Sequence, residues 1–250
     1  MAKANVLQTI SVNKYLDGKQ ILFDVNLEIK EWEVFWFLWP NWAWKTTTMK
    51  CILNLIKPES WEIIILWENE LTNEIKSQIG FMPENTYLYK YLTWYEFLKF
   101  NWKFYNIEKN ELEEKINNLL EKVWLKEAKD KLLAKYSKWM LQRIGLAQAI
   151  INNPKLVFLD EPMSWLDPIW RKMVKDLILE LKKNWTTVFF NTHILSDVES
   201  ICDRFAIIHK WKIIEENKVK NLKKHLEDLF IEKINEANER ELEEENEENN

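Results

Sequence analysis

Residues 39–47 read Trp-Pro-Asn-Trp-Ala-Trp-Lys-Thr-Thr; they follow a short apolar run, 33–38, and open a helix-like stretch, 45–55. With glycine at each tryptophan the segment becomes G-P-N-G-A-G-K-T-T. That satisfies G-x-x-x-x-G-K-[ST], the strand-to-helix loop that cradles phosphates. Such a loop turns successive backbone N–H groups inward as an anion nest. The geometry needs φ > 0 at some positions and bare main chain against the phosphate, and glycine supplies both. Tryptophan supplies neither: its Cβ resists the left-handed region and its indole fills the space a phosphate would take. Taken literally, the loop should not hold a nucleoside triphosphate, although it stands in the context the motif requires.

The same contradiction runs along the chain, whose 250 residues include 3 Gly and 15 Trp. Together these are 18 residues, or 7.2% of 250, whereas glycine alone takes about 7% of an ordinary protein. Trp32 precedes the strand that feeds the loop and Trp36 lies on that strand; Trp61 follows Pro58-Glu59-Ser60, and Trp67 closes the same strand. Trp94, Trp102, Trp124, Trp170, Trp185 and Trp211 stand before or after helices or at hairpin turns. Lys183-Asn184-Trp185-Thr186 and His209-Lys210-Trp211-Lys212 would be ordinary helix-end and hairpin signals with glycine in place of tryptophan. The hypothesis that unites them is that all fifteen are glycine positions. A gene whose UGA codons specify glycine, translated with UGA as tryptophan, gives this pattern. Gly18, Gly80 and Gly145 would then come from ordinary glycine codons.

Charge narrows the function classes. The formal net charge is -5, but residues 236–250 hold eight Glu and one Arg, so the remaining body is near neutral. No basic stripe of a nucleic-acid binder is present. No apolar run approaches the roughly 20 residues that span a bilayer, and residues 1–5 lack a secretory apolar segment. The two cysteines, Cys51 and Cys202, fit a reducing compartment and read as small buried hydrophobes.

Alternating and β-branched apolar positions predict strands at 5–12 and 21–29, with a turn around residues 15–19. Further strands are expected at 33–38, 62–66 and 78–82, and a helix at 45–55. Residues 93–152 are rich in Lys, Glu, Leu and Asn with helical periodicity, which predicts a mostly helical insertion. Beyond it, strands at 156–159, 186–190, 205–209 and 212–215 alternate with helices at 168–182 and 195–202. Such alternation implies an α/β fold with a largely parallel sheet. From about 218 the chain reads as helical, and its last ten or so Glu- and Asn-rich residues are expected to lack fixed structure.

At this point the chain resembles the ATP-binding subunits of ABC transporters, from about Val6 to Leu222. Tyr136-Ser137-Lys138-Trp139-Met140-Leu141-Gln142-Arg143 is similar to the family signature, with Trp139 at its glycine. Leu156 to Pro162 is similar to the Walker B strand, Ser164-Trp165-Leu166-Asp167 to the D-loop, and Asn191-Thr192-His193 to the switch region. Pro83-Glu84-Asn85 stands at the Q-loop, with Glu for Gln as in an exporter-like branch. The resemblance implies a P-loop (RecA-like) core with a mostly parallel sheet, an antiparallel β subdomain and a helical signature subdomain. Residues 1–222 would be the ATPase domain, with the helical part at about 85–150, and 223–250 a C-terminal helix and acidic tail. The cofactors implied are ATP and Mg²⁺.

Roles follow residue by residue. Trp39, Pro40, Asn41, Trp42, Ala43, Trp44, Lys45, Thr46 and Thr47 would form the phosphate loop. Lys45 would reach the β/γ-phosphates and Thr46 the magnesium. Asp160 ends an apolar strand, where carboxylates rarely sit without a task, and would bind Mg²⁺. Glu161 would act as general base on the attacking water, His193 would contact the γ-phosphate, and Glu84 would sense the γ-phosphate or metal. Tyr15 would stack on adenine. Ser137 and Trp139, opening a helix whose N-terminus favours anions, would complete the site of a second copy, and Asp167 of the D-loop would also contact nucleotide. The partners implied are that second copy and a membrane permease on a separate chain, with no nucleic acid. The location implied is cytoplasmic, on the inner face of the membrane, with export as the direction. The rival classes are a soluble ATPase of this type unlinked to transport and, if the tryptophans are genuine, a nucleotide-free structural protein.

Overall fold

The computed structural model describes residues 4–248 apart from 17, 39–41, 58, 87, 104–108 and 210–211. Strands β1 (Asn5–Leu16) and β2 (Lys19–Lys30) form an antiparallel hairpin, and β4 (Ser60–Ile65) adds to the other side of β1. These two long strands run further than the 5–12 and 21–29 that alternation alone marked, closing to Leu16↔Lys19 at the turn.

The second sheet holds β3 (Val34–Leu38), β5 (Ile79–Met82), β6 (Leu156–Asp160), β7 (Thr187–Asn191), β8 (Arg204–His209) and β9 (Lys212–Lys218), in the order β5-β6-β7-β3-β8-β9. All neighbours pair in parallel except β8 with β9. Each of β3, β6 and β7 is buried along its whole length. Such continuous apolar runs are what a sheet covered on both faces requires. One apolar cluster joins Val34, Trp36, Leu159 and Phe190 to the helices; another joins Phe35, Phe37, Phe158 and Phe189 to the antiparallel sheet.

The helices are α1 (Trp42–Ile52), the short α2 (Asn73–Lys76), α3 (Trp94–Trp102), α4 (Lys109–Lys122), α5 (Lys138–Ile150), α6 (Pro168–Lys183), α7 (Leu195–Ile201) and α8 (Leu226–Glu248). Among the described residues, α3, α4 and α5 follow β5 with no strand before β6, which is the expected helical insertion. It is keyed to the sheet at Gly80, where a Cβ would stand 1.9 Å from the Ala149 carbonyl oxygen of α5. At the C-terminus the structure differs from expectation: α8 runs to Glu248 where the charge run suggested no fixed structure. Leu226 and Leu229 are buried and Phe230 and Ile234 pack on the core, and His209 Nε2 lies 2.9 Å from Asn238 Oδ1. Those contacts anchor the helix from which the acidic end continues.

Backbone dihedrals bear on the tryptophans. Trp32, Trp67, Trp124, Trp165 and Trp185 have φ of 57°, 70°, 52°, 66° and 65°. The left-handed region costs an L-residue with a Cβ about 1–2 kcal/mol, so five such residues cost about 5–10 kcal/mol. That is comparable to the whole stability of a domain, about 5–15 kcal/mol. Two of these residues close helices in the same way. After α4, Leu125 N–H bonds to Leu120 O (2.9 Å) and Trp124 N–H to Glu121 O (3.0 Å). After α6, Thr186 N–H bonds to Leu181 O (3.0 Å) and Trp185 N–H to Lys182 O (3.1 Å). This pair of bonds is the Schellman motif, whose left-handed residue is usually glycine. Trp36, Trp94 and Trp102 are instead buried in the core, although the buried Trp94 Nε1 has no hydrogen-bond partner among the described residues.

Candidate active site

The site lies at the carboxyl ends of β3, β6 and β7, where open α/β sheets place their ligands. Because β7 runs between β3 and β6, the helix that leaves β3 reaches the end of β6 across one strand. Thr46 Oγ1, in α1, donates to Asp160 Oδ2 at 2.5 Å. Asp160 is 1% exposed. Burial holds its carboxyl above the ordinary carboxylate range, against hydrogen bonds from Thr46, from Asn191 and from the Glu84 backbone N–H. The neighbouring Glu161 charge pushes the same way as burial. The register Asp160↔Asn191 sets the ends of β6 and β7 side by side. Asn191 then serves both acidic residues: its amide meets the Asp160 carboxylate, and its Oδ1 accepts from Glu161 N–H at 2.9 Å.

Glu161 follows the strand with φ 51° and is 3% exposed. Its carboxylate accepts from Ser164 Oγ at 2.9 Å, and His193 Nδ1 lies 3.0 Å from the same oxygen. The structure thus gathers Thr46, Glu84, Asp160, Glu161 and His193, five residues singled out by sequence. It adds Asn191 and Ser164, which sequence quoted inside motifs but gave no task. Thr47 is buried beside them in α1. Trp39, Pro40 and Asn41 lie outside the described residues. The backbone of Trp42, Ala43, Trp44 and Lys45 forms the first turn of α1; their side chains also lie outside the described residues.

A second group forms around the start of α5. Ser137 is the N-cap, accepting from Met140 N–H at 3.4 Å. Asp167 caps α6, accepting from Ile169 and Trp170 N–H at 2.9 and 3.1 Å. Indoles cover this face. Trp139 stacks on Trp170 with ring centroids 6.1 Å apart, and Trp124 meets Trp170 at 5.6 Å. Lys138 Nζ stands 3.5 Å over Trp165, which is 67% exposed. Arg143 lies between Trp139 and Trp170, at 4.2 and 3.2 Å. Among the described residues its buried Nε and Nη2 have no hydrogen-bond partner, and burial lowers its pKa to about 10. Tyr15 lies on β1, about half exposed, its hydroxyl donating to Gln20 Oε1 at 3.0 Å.

The donor set suits a hard cation: one hydroxyl and carboxylates, all oxygen, as magnesium takes beside substrate phosphates. Among the described residues no cluster of three or more His, Cys, Asp or Glu forms a metal cage of its own.

Comparison with known proteins agrees with this architecture. A protein-family model described as ABC transporter matches residues 22–164. An uncharacterised ABC transporter ATP-binding protein of Synechocystis sp. is 41% identical over 221 residues, 85% of this chain and 62% of that protein. The chain therefore spans about three fifths of that relative's length. The bacitracin transport ATP-binding protein BcrA of Bacillus licheniformis is 38% identical over 224 residues, 88% of this chain and 72% of that protein. A solved ATP-binding subunit of an ABC transporter superposes with a TM-score of 0.85 at 25% identity, covering 91% of this chain and 99% of the other. With the family model matching more than half its length, the chain belongs to the ABC transporter ATP-binding family.

Proposed function

We propose that this chain is the ATP-hydrolysing subunit of an ABC transporter, and that in the natural protein the fifteen tryptophan positions carry glycine. The supporting observation is the joined set of Thr46, Asp160, Glu161, Asn191 and His193. Bound there, magnesium would screen phosphate charge. Thr46 Oγ1 and Asp160 would hold it, with Glu84 at the edge of the same cluster, and Lys45 would meet the β/γ-phosphates. Glu161 would accept a proton from the attacking water at its carboxylate, oriented by Ser164 Oγ and His193 Nδ1. Tyr15 would face the base. Ser137, the residue at 139 and Asp167 would meet the nucleotide of a second copy. The left-handed φ values of five tryptophans support the glycine reading.

Among the described residues no helix is long and apolar enough to cross a membrane, which is in keeping with a permease on a separate chain and a peripheral position on the inner face of the membrane. The relative named for bacitracin transport supports export as the direction. The test is the gene itself and its product. UGA codons at 39, 42 and 44 are expected. The protein made with glycine at all fifteen positions should bind and hydrolyse MgATP, whereas the literal tryptophan form should do neither. UGG codons there, or a glycine form without ATP turnover, would end this reading.

A further inference from the structure

Glu161 sits in a conformation its own chemistry does not favour. At φ 51° a residue with a Cβ persists only where its surroundings over-determine it. The peptide is held from both sides. Its N–H meets Asn191 Oδ1 at 2.9 Å and Asn191 O at 3.2 Å. Its carbonyl accepts from Gln142 Nε2 at 2.7 Å. Gln142 is 6% exposed and Asn191 fully buried, so both bonds are shielded from water and strong for that reason.

Gln142 stands on α5, five residues after the Ser137 cap, rather than on the sheet that carries the other site residues. The same helix is locked to the Glu84 segment. At Gly145, three residues on, a Cβ would stand 2.7 Å from Thr86 Oγ1. The helix that opens at Ser137 is thus fastened both to the Glu161 peptide and to the chain beside Glu84.

We propose that Gln142 is a positioning residue for Glu161: by donating to the Glu161 carbonyl it holds that peptide in the left-handed conformation that aims the carboxylate at Ser164 and His193. Without the donor, a buried carbonyl loses its partner and the peptide relaxes toward an unstrained φ, swinging Cβ and the carboxylate away. Because Gln142 rides on α5, any shift of that helix is felt at the carboxylate of its own chain. The proposal rests on the hydrolytic reading above.

The experiment uses the full chain with glycine at the fifteen positions. Gln142→Met keeps length and flexibility but removes the donor; Gln142→Glu keeps the shape and, when ionised, also lacks one. Each should lower kcat about 10- to 100-fold, the scale of a small misplacement of a reacting group, with ATP affinity within about two-fold. In a Glu161→Gln background, Gln142→Met should cause no further loss, because its effect passes through the carboxylate. A further loss in that background, or parental kcat in folded Gln142→Met or Gln142→Glu, overturns the proposal. A parent without turnover sinks the hydrolytic reading itself, and this proposal with it.

Discussion

The two halves of the site are built from similar elements and have come out differently. At the ends of β6 and β7, the buried Asp160, Glu161, Ser164 and Asn191 form connected hydrogen bonds that reach the exposed His193. At the start of α5 and in the segment after Ser164, Arg143 lies against Trp139 and Trp170, Trp124 packs on Trp170, and a fourth indole, Trp165, stands in solvent under Lys138. The turns repeat the contrast. Asn54 and Asn153, at φ 52° and 50°, fill helix-end positions like those of Trp124 and Trp185, and asparagine is one of the few residues that tolerates them. The strand ends carry the functional groups the site needs, while five left-handed turn positions, 32, 67, 124, 165 and 185, carry tryptophan. A scaffold that had lost its activity would show no such division, because its carboxylates would drift as freely as its loops.

The largest effect should come from restoring the loop. Glycine at 39, 42 and 44 within the glycine form is expected to take MgATP binding from undetectable to readily measured by calorimetry. Reverting those three alone to tryptophan should abolish it while the fold survives. If the reverted protein still binds, the indoles are not the obstacle. In the glycine form, Glu161→Gln should lower kcat about 10²- to 10⁴-fold and leave nucleotide binding intact; unchanged turnover would remove Glu161 from the water-activating role.

Stability tests the turns. Trp32 and Trp185 both have positive φ, and their rings meet at 4.7 Å. Replacing both by glycine in the tryptophan form relieves about 1–2 kcal/mol at each and forfeits about 0.5–1.5 kcal/mol of ring contact. The net gain expected in urea unfolding is about 0.5–3.5 kcal/mol, whereas Asn54→Gly should change little. A smaller effect follows from Asp160. Its folded pKa is raised by burial, so its contribution to stability is present below the ordinary carboxylate range and is lost as pH rises through the raised value. In chelator, Asp160→Asn should therefore melt higher than the parent at pH 7, with the gap closing in acid. A gap that widens in acid would reverse the assignment.

Much of this was legible in sequence, and the reasons are local. The strands ending at Leu38, Asp160 and Asn191 announce themselves as short apolar runs; Thr46 follows from the loop motif, and Asp160 and Glu161 from the resemblance to the family's Walker B strand. Gln142 and Asn191 were quoted inside motifs without a task, because their partner is a main-chain group brought near only by the packing of α5 and the pairing of β7. Asp167, assigned to nucleotide contact through the D-loop, also has a duty inside its own chain as the cap of α6. The end of α8 departs from what its charge run suggests. Burial of Leu226 and Leu229 and the contact of Asn238 with His209 hold the helix from which that end continues.

The most direct measurement is the mass of one peptide from the natural protein. Trypsin should release residues 31–45, cut after Lys30 and Lys45, with five of the fifteen positions inside: 32, 36, 39, 42 and 44. A peptide lighter than the written sequence by five tryptophan-to-glycine differences, without indole absorbance, is the expected result. A peptide of the written mass would contradict it.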